Sequence, residues 1–277
     1  MNDGAAGMAT APMLREERAG GVVTLTLNRP AQFNALSAAL LAELEAACSR
    51  IAADPAARVV VLAAAGKAFC AGHDLREVRA LPDAEAAARL FADCSRMMLR
   101  LRALPQPVIA RVHGIATAAG CQLVAMCDLA VASEEARFAV SGIQLGLFCG
   151  TPSVPLSRNV PAKAAFEMLV TGDTIDARTA LQRGLVNRVV PAAALDDEIA
   201  SLAASIATKP ASAIAIGKQL FYRQLEMGIA AAYQLAGQAM ACNLQEADTR
   251  EGIAAFVEKR PPAWAPAGPA SDASSPR

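Results

Sequence analysis

Two stretches of the 277-residue chain place small residues, polar hydrogens and a helix start together: Ala68–Leu75 (AFCAGHDL) and His113–Asp128 (HGIATAAGCQLVAMCD). The second is entered by an apolar, β-branched run, Pro107–Val112, that predicts a buried strand. It turns through Ala116, Thr117, Ala118, Ala119 and Gly120, then takes up a helical pattern with Leu123, Val124 and Met126. A strand that turns through small residues into a helix presents free backbone N–H groups at the positive end of the helix dipole. Such a turn can hold a phosphate, a carboxylate or a developing oxyanion. Two such turns at one end of neighbouring parallel strands face one crevice. One N–H from each then makes an oxyanion hole, in which a donor is worth about 10²–10³ in rate. Close packing of helices on a sheet produces the same small-residue turns, and pattern alone weighs towards packing.

Strands and helices must position these turns. Gly21–Leu27 predicts a strand, and Ser37 an N-cap for a helix that Asp54-Pro55 ends. Arg58–Gly66 (RVVVLAAAG) is a continuous apolar run of the kind buried in a parallel sheet. Pro82–Leu104 predicts a helix, and Asp128–Ala132 and Val186–Val190 predict short strands. Phe138–Phe148 reads as extended. Lys163–Val170 and Asp176–Arg183 predict helices with glycines, Gly172 and Gly184, at their C-caps. From Ala192 the pattern is helical throughout: Ala192–Thr208, Ala211–Met227, Ile229–Gln245 and Thr249–Lys259. The expected organisation is a disordered tail at 1–14, a β/α core at 15–200, a helical region at 201–260 and a Pro/Ala/Ser-rich tail at 261–277.

Composition narrows the class. Hydrophobic residues make up 54% and aromatics 4%, so Ala, Val, Leu and Ile must build the core. Lys+Arg and Asp+Glu both number 26, a balance that argues against nucleic acid or an anionic membrane as partner. The seven cysteines include no C-x-x-C pair, and Cys70, Cys94, Cys121 and Cys127, mostly in apolar sequence, read as reduced core thiols of a cytoplasmic protein. Two distant histidines predict no metal site. Met1–Leu14 lacks the basic and apolar regions of a signal peptide and the Arg/Ser enrichment of a transit peptide. No run reaches the roughly 18–20 apolar residues of a membrane span.

AFCAGHDL, HGIATAAGCQLVAMCDLAVAS, GLVNRVVP and EGIAAFVEKRPP, in that order, resemble successive signatures of the crotonase superfamily, the enoyl-CoA hydratase/isomerase family. The resemblance spans roughly Gly21 to Pro262, and ATAAGCQLVA and GLFCGTP resemble a divergent branch of it. It implies an α/β fold, a crotonase-like spiral of repeated β-β-α units with a C-terminal α-helical oligomerisation region that builds homotrimers or dimers of trimers. The implied ligand is an acyl-CoA or enoyl-CoA of fatty acid metabolism. Coenzyme A would enter as part of the substrate, with no permanently bound cofactor. The thioester carbonyl would sit between the backbone N–H groups of His73 and Ala119. Ala71, Asp74 and Leu75 match positions lining the pantetheine and adenine channel, and Phe256 and Lys259 match residues reaching the CoA of a neighbouring subunit.

Family hydratases add water with two glutamates. Here their positions hold Gln122 and Gly142. An amide can hold a water but cannot take its proton, and general acid–base groups are worth about 10²–10⁴ each. Gly150 stands where some relatives carry an acidic residue further along. Glu134 and Glu135 read as a solvated loop, Asp128 as structural, and His113 as a structural hydrogen bonder. His73 is a candidate base whose side chain should point off the turn. Cys149 and Ser141 are candidate thioesterase nucleophiles without a histidine near in sequence. The reading is a hydratase-like protein with weak or altered lyase chemistry. A non-catalytic acyl-CoA carrier and an acyl-CoA thioesterase are the alternatives.

Overall fold

The computed structural model describes residues 11–264. The N-terminal half runs β1 (Leu14–Ala19), β2 (Val22–Leu27), α1 (Ala38–Ala52), β3 (Val59–Ala64), β4 (Ala68–Cys70), α2 (Leu75–Arg79), α3 (Ala84–Arg102), β5 (Val108–Val112), β6 (Ile115–Thr117) and α4 (Ala119–Met126). The chain continues through β7 (Leu129–Ser133), β8 (Arg137–Ala139), α5 (Gly150–Asn159), α6 (Ala162–Thr171), β9 (Ile175–Asp176), α7 (Ala177–Gln182) and β10 (Arg188–Val190). Four helices close it: α8 (Leu195–Ala207), α9 (Ala211–Gln224), α10 (Ile229–Asn243) and α11 (Ala247–Val257).

Strand use explains the spiral. β3, β5 and β7 join a six-stranded sheet of order β1-β2-β3-β5-β7-β10, and the short strand after each joins a four-stranded sheet, β4-β6-β8-β9. Each β-β-α unit thus adds one strand to each sheet. All pairings are parallel except the β1–β2 hairpin and the β8–β9 pair. A parallel sheet is covered on both faces, which is why β3 reads as an unbroken apolar run and is buried throughout. Val60, Leu62 and Ala64 point into the main core. The alternate residues Val59 and Val61 join Ile109 and Val131 under Leu195, Ile199 and Ala203 of α8.

Several sequence expectations are met locally. Ser37 caps α1 by accepting the Leu40 N–H at 3.2 Å. Gly172 and Gly184 close α6 and α7 with φ of 69° and 80°. Others need correction. The tail expected through residue 14 is shorter: Met13 packs on the core, and the Asn28 side chain and N–H donate to the Pro12 and Met13 carbonyls. The earlier part of that tail, 1–10, lies outside the described residues, as does 265–277 of the C-terminal one. The boundary expected at residue 200 cuts α8, which covers the outer face of the large sheet and belongs to the core. The Phe138–Phe148 segment is extended only at its start; Ser141–Leu145 is a 3-10 turn closed by Gly146 at φ 79°. Among the described residues no single helix is long and apolar enough to cross a membrane.

Candidate functional site

The two small-residue turns lie against each other because the strands that lead into them are paired. β4 and β6 run parallel with Cys70 opposite Ala116, so Ala71-Gly72-His73 and Ala118-Ala119-Gly120 leave from one edge. Their approach is reciprocal. A Cβ on Gly72, whose φ is +95°, would stand 3.0 Å from Ala118 Cβ and 3.3 Å from Ala119 N. A Cβ on Gly120 would stand 2.1 Å from the Cys70 carbonyl oxygen. Each turn therefore needs its glycine so that the other can close.

Backbone pairing decides where the N–H groups point. Leu36 forms a parallel bridge with His73: Leu36 N–H donates to Gly72 O at 2.8 Å and Asp74 N–H to Leu36 O at 3.1 Å. The bonds on residues 72 and 74 turn the His73 N–H away from Leu36. Ala119 is the first residue of α4, so its N–H has no intrahelical acceptor. Ala118, just before it, holds φ 49° and ψ −120°, a conformation that costs an alanine strain.

The first turn is braced by residues that carry no motif in the sequence. Asn34, fully buried, donates to Ala65 O and Ala68 O at 2.8 Å each and accepts the Arg29 N–H at 2.9 Å. Arg29 also reaches Asp74 at 3.0 Å. The one signal for this brace is an Asn-Ala pair after an aromatic, with no short-range periodicity to mark it. Asp74 also accepts the Arg76 N–H at 3.1 Å as N-cap of α2. Burial alone would raise its carboxyl, but the bonds from Arg29 and the Arg76 N–H outweigh that and hold it below the usual carboxylate range. Its carboxylate is thus engaged within the scaffold. Ala71 donates to Phe33 O at 3.0 Å, and Leu75 is 59% exposed beside the turn.

The side chains near the turns are poor in proton-transfer groups. Gln122 lies in α4, 4% exposed, with its Oε1 buried and unpartnered. Gly142 sits in the Ser141–Leu145 turn, and the Ser141 hydroxyl stands 3.4 Å from Thr117 Oγ1. The His73 ring packs edge-on against Phe91 of α3 at 5.6 Å, with neither nitrogen hydrogen-bonded, and burial pushes its pKa down. His113 Nε2 lies 2.7 Å from Gly66 O. Neither histidine is hydrogen-bonded to Cys149 or Ser141, and burial raises the Cys149 thiol, so no activated nucleophile is assembled. Glu134 and Glu135 are exposed. Among the described residues no cluster of three or more His, Cys, Asp or Glu is placed to hold a metal ion.

Asp128 has the structural role expected of it, and a larger one. It accepts the Val108 N–H at 2.7 Å, Lys218 Nζ at 2.6 Å and the Tyr222 hydroxyl at 2.7 Å. Lys218 also donates to Gln106 O at 2.9 Å. The ion pair is buried, with side chains 8% and 12% exposed, and ties α9 to the core. Phe256, 85% exposed, and Lys259 lie at the end of α11, a helix that buries only Ala255.

Comparison with known proteins agrees with the sequence resemblance. A family model described as enoyl-CoA hydratase/isomerase matches residues 17–267. The rat protein named enoyl-CoA hydratase domain-containing protein 3, mitochondrial, is 44% identical over 260 residues, covering 94% of this chain and 87% of that one. The crystal structure of the human protein of that name superposes with a TM-score of 0.89 at 43% identity, covering 91% of this chain and all of that one. A crystal structure of an enoyl-CoA hydratase from Mycobacterium smegmatis gives a TM-score of 0.91 at 61% identity, covering 92% and 99%. The cytoplasmic expectation is corrected by the rat and human relatives, which are named mitochondrial.

Proposed function

The chain belongs to the enoyl-CoA hydratase/isomerase family and has its crotonase-like spiral, and from that membership we propose that it binds an acyl-CoA thioester while hydrating enoyl thioesters weakly or not at all. The thioester carbonyl oxygen accepts from the N–H groups of His73 and Ala119. The observation that carries this reading is the reciprocal seating of Gly72 on Ala119 and Gly120 on Cys70, which brings the two turns against each other. Two donors held rigidly at a developing negative charge polarise the carbonyl without reorganising.

Chemistry beyond this polarisation is limited by the side chains. Hydration needs a base for water and an acid for the α-carbon. Gln122 stands at the first position and has no proton-accepting form at neutral pH. Gly142 stands at the second and has no side chain. With two groups worth about 10²–10⁴ each removed, the remaining rate is that of a polarised but unassisted thioester. A non-catalytic acyl-CoA carrier is the second reading, favoured by the closed surroundings of Gly142. The thioesterase reading lacks its nucleophile–histidine pair.

Ala71 and Leu75 flank the first turn and line the path of the pantetheine arm. Coenzyme A enters with the substrate and leaves with it, in fatty acyl metabolism. Assembly as a homotrimer or dimer of trimers is supported by large apolar side chains left open on the C-terminal helices, among them Ile229, Tyr233 and Met240. In such an assembly Phe256 and Lys259 reach the CoA of a neighbouring subunit.

The test is a mixture of saturated and 2-enoyl-CoA thioesters incubated with pure protein and followed by mass spectrometry. Retained thioesters of unchanged mass are expected. Hydration of crotonyl-CoA at the rate of a two-glutamate hydratase refutes the role given to Gln122 and Gly142. Absence of any retained thioester refutes the binding reading.

A further inference from the structure

Residue 142 is closed from two sides. A Cβ built on Gly142 would stand 2.6 Å from the Leu147 carbonyl oxygen and 2.7 Å from Cys149 Sγ, nearer than Cβ atoms come in real structures. Its φ is not in the left-handed region, so glycine is required here by space and not by torsion. The same segment is tied back on itself. Leu147 N–H donates to Gly142 O at 3.0 Å, and Gly142 N–H donates to Cys149 Sγ at 3.3 Å. Cys149 is itself buried, at the residue before α5.

One residue back, Ser141 connects this segment to both turns. Its hydroxyl is 3.4 Å from Thr117 Oγ1, and Thr117 Oγ1 is 3.4 Å from Ala71 O. Thr117 leads into Ala118-Ala119, and Ala71 leads into Gly72-His73. The two hydroxyls therefore link the segment to residues that lead into both turns, and the position of Ser141 depends on how its neighbour Gly142 is held.

We propose that Cys149 is a positioning residue of the acyl site, an inference that rests on the function proposed above: its sulfur fills the space of a side chain at 142, holds the Gly142 N–H, and so fixes the Ser141 hydroxyl against Thr117. The wall opposite α4 is then made of backbone and hydroxyl groups. A glutamate introduced at 142 has no path into the site, because its Cβ meets a carbonyl oxygen and a sulfur before its carboxylate is placed. Loss of the second carboxylate is in this way built into the packing of the segment and is not reversed by one substitution.

Two measurements test this. The first is a double-mutant cycle on folding, with Gly142→Ala made in the native and the Cys149→Ala backgrounds. Gly142→Ala is expected to lower the folding constant at least tenfold in the native background and at least threefold less when the sulfur is gone; equal effects overturn the proposal. Should Gly142→Ala alone fail to fold, folded protein from the double variant is the same coupling. The second is calorimetric titration with butyryl-CoA. Cys149→Ala is expected to weaken binding at least threefold, and Cys149→Ser, which keeps an acceptor for the Gly142 N–H, to recover part of that loss. Unchanged affinity in Cys149→Ala overturns the positioning role, whatever the folding cycle shows. Native protein that binds no butyryl-CoA overturns the proposed function instead, and the folding cycle then still decides whether Cys149 closes residue 142.

Discussion

Ala118 offers a test in which torsional strain is set against packing at the second turn. The residue holds φ 49° and ψ −120°, where an alanine carries about 1–3 kcal/mol of strain. Ala118→Gly removes that strain. Against it stand the added freedom of the unfolded chain, about 0.4–1 kcal/mol, and the loss of a methyl that is only partly buried against the core. A fully buried methylene is worth about 0.8 kcal/mol, and a half-buried methyl about half that. The balance favours the glycine variant by about 1 kcal/mol. For a chain of this size that corresponds to a rise in Tm of about 2–4 °C. The measurement is urea unfolding of both proteins, read as a shift in midpoint at constant slope, with a thermal scan beside it. Binding of butyryl-CoA should survive, since the Ala119 N–H is untouched. A variant less stable by about 1 kcal/mol or more would mean instead that the methyl packs more favourably than the torsion costs.

Three further outcomes are expected. Asp128→Ala leaves the Lys218 ammonium buried with only the Gln106 carbonyl and should cost about 3–5 kcal/mol in urea unfolding; Lys218→Met leaves the carboxylate with Val108 N–H and Tyr222 O–H and should cost clearly less. Gly120→Ala drives a methyl into the Cys70 carbonyl and should cost about 3 kcal/mol, read by the same unfolding curves. Burial lowers the pKa of both His73 and His113 below the ordinary 6.5, so below that pH the unfolded chain takes up protons that the folded protein refuses. Stability should be full above about pH 6.5 and fall as the pH drops towards the folded values, by at most about 1.4 kcal/mol per unit for His73 and by less for the half-exposed His113, whose charge water screens. A urea midpoint unchanged between about pH 7 and about pH 5 contradicts this.

The residues that announce themselves in the sequence are those whose structure is local. The apolar runs of β3 and β5 report burial on both sheet faces, and Ser37, Gly172 and Gly184 report helix ends, because periodicity and capping act within a few positions. β1 was not legible: LREERA is a hairpin edge strand exposed along most of its length, so it carries no alternating pattern. α5 was hidden by Pro152 and Pro155, which fall inside it. The two turns were visible as small-residue clusters, and Gln122 and Gly142 as departures from a family pattern. Their surroundings were not visible. Asn34 reaches Ala65 and Ala68, Asp128 meets Lys218 ninety positions on, and Cys149 meets Gly142 across a turn that the sequence presented as extended. The first two are made by the path of the spiral, between partners thirty or more positions apart, and the third by a turn that leaves no periodic pattern.

Helix α4 joins two features that lie at opposite ends of it. Its eight residues, all buried, span about 12 Å as a rigid rod. Ala119 in the second turn stands at one end. At the other, Cys127 hands the chain to Asp128, on which Lys218 and Tyr222 of α9 are anchored. Loosening the anchor frees the rod's far end, and with it the alignment of the near one. The site and the seating of the C-terminal helices therefore form one cooperative unit, and the amides of α4 and of the Lys218–Tyr222 turn should exchange with solvent in a shared opening event.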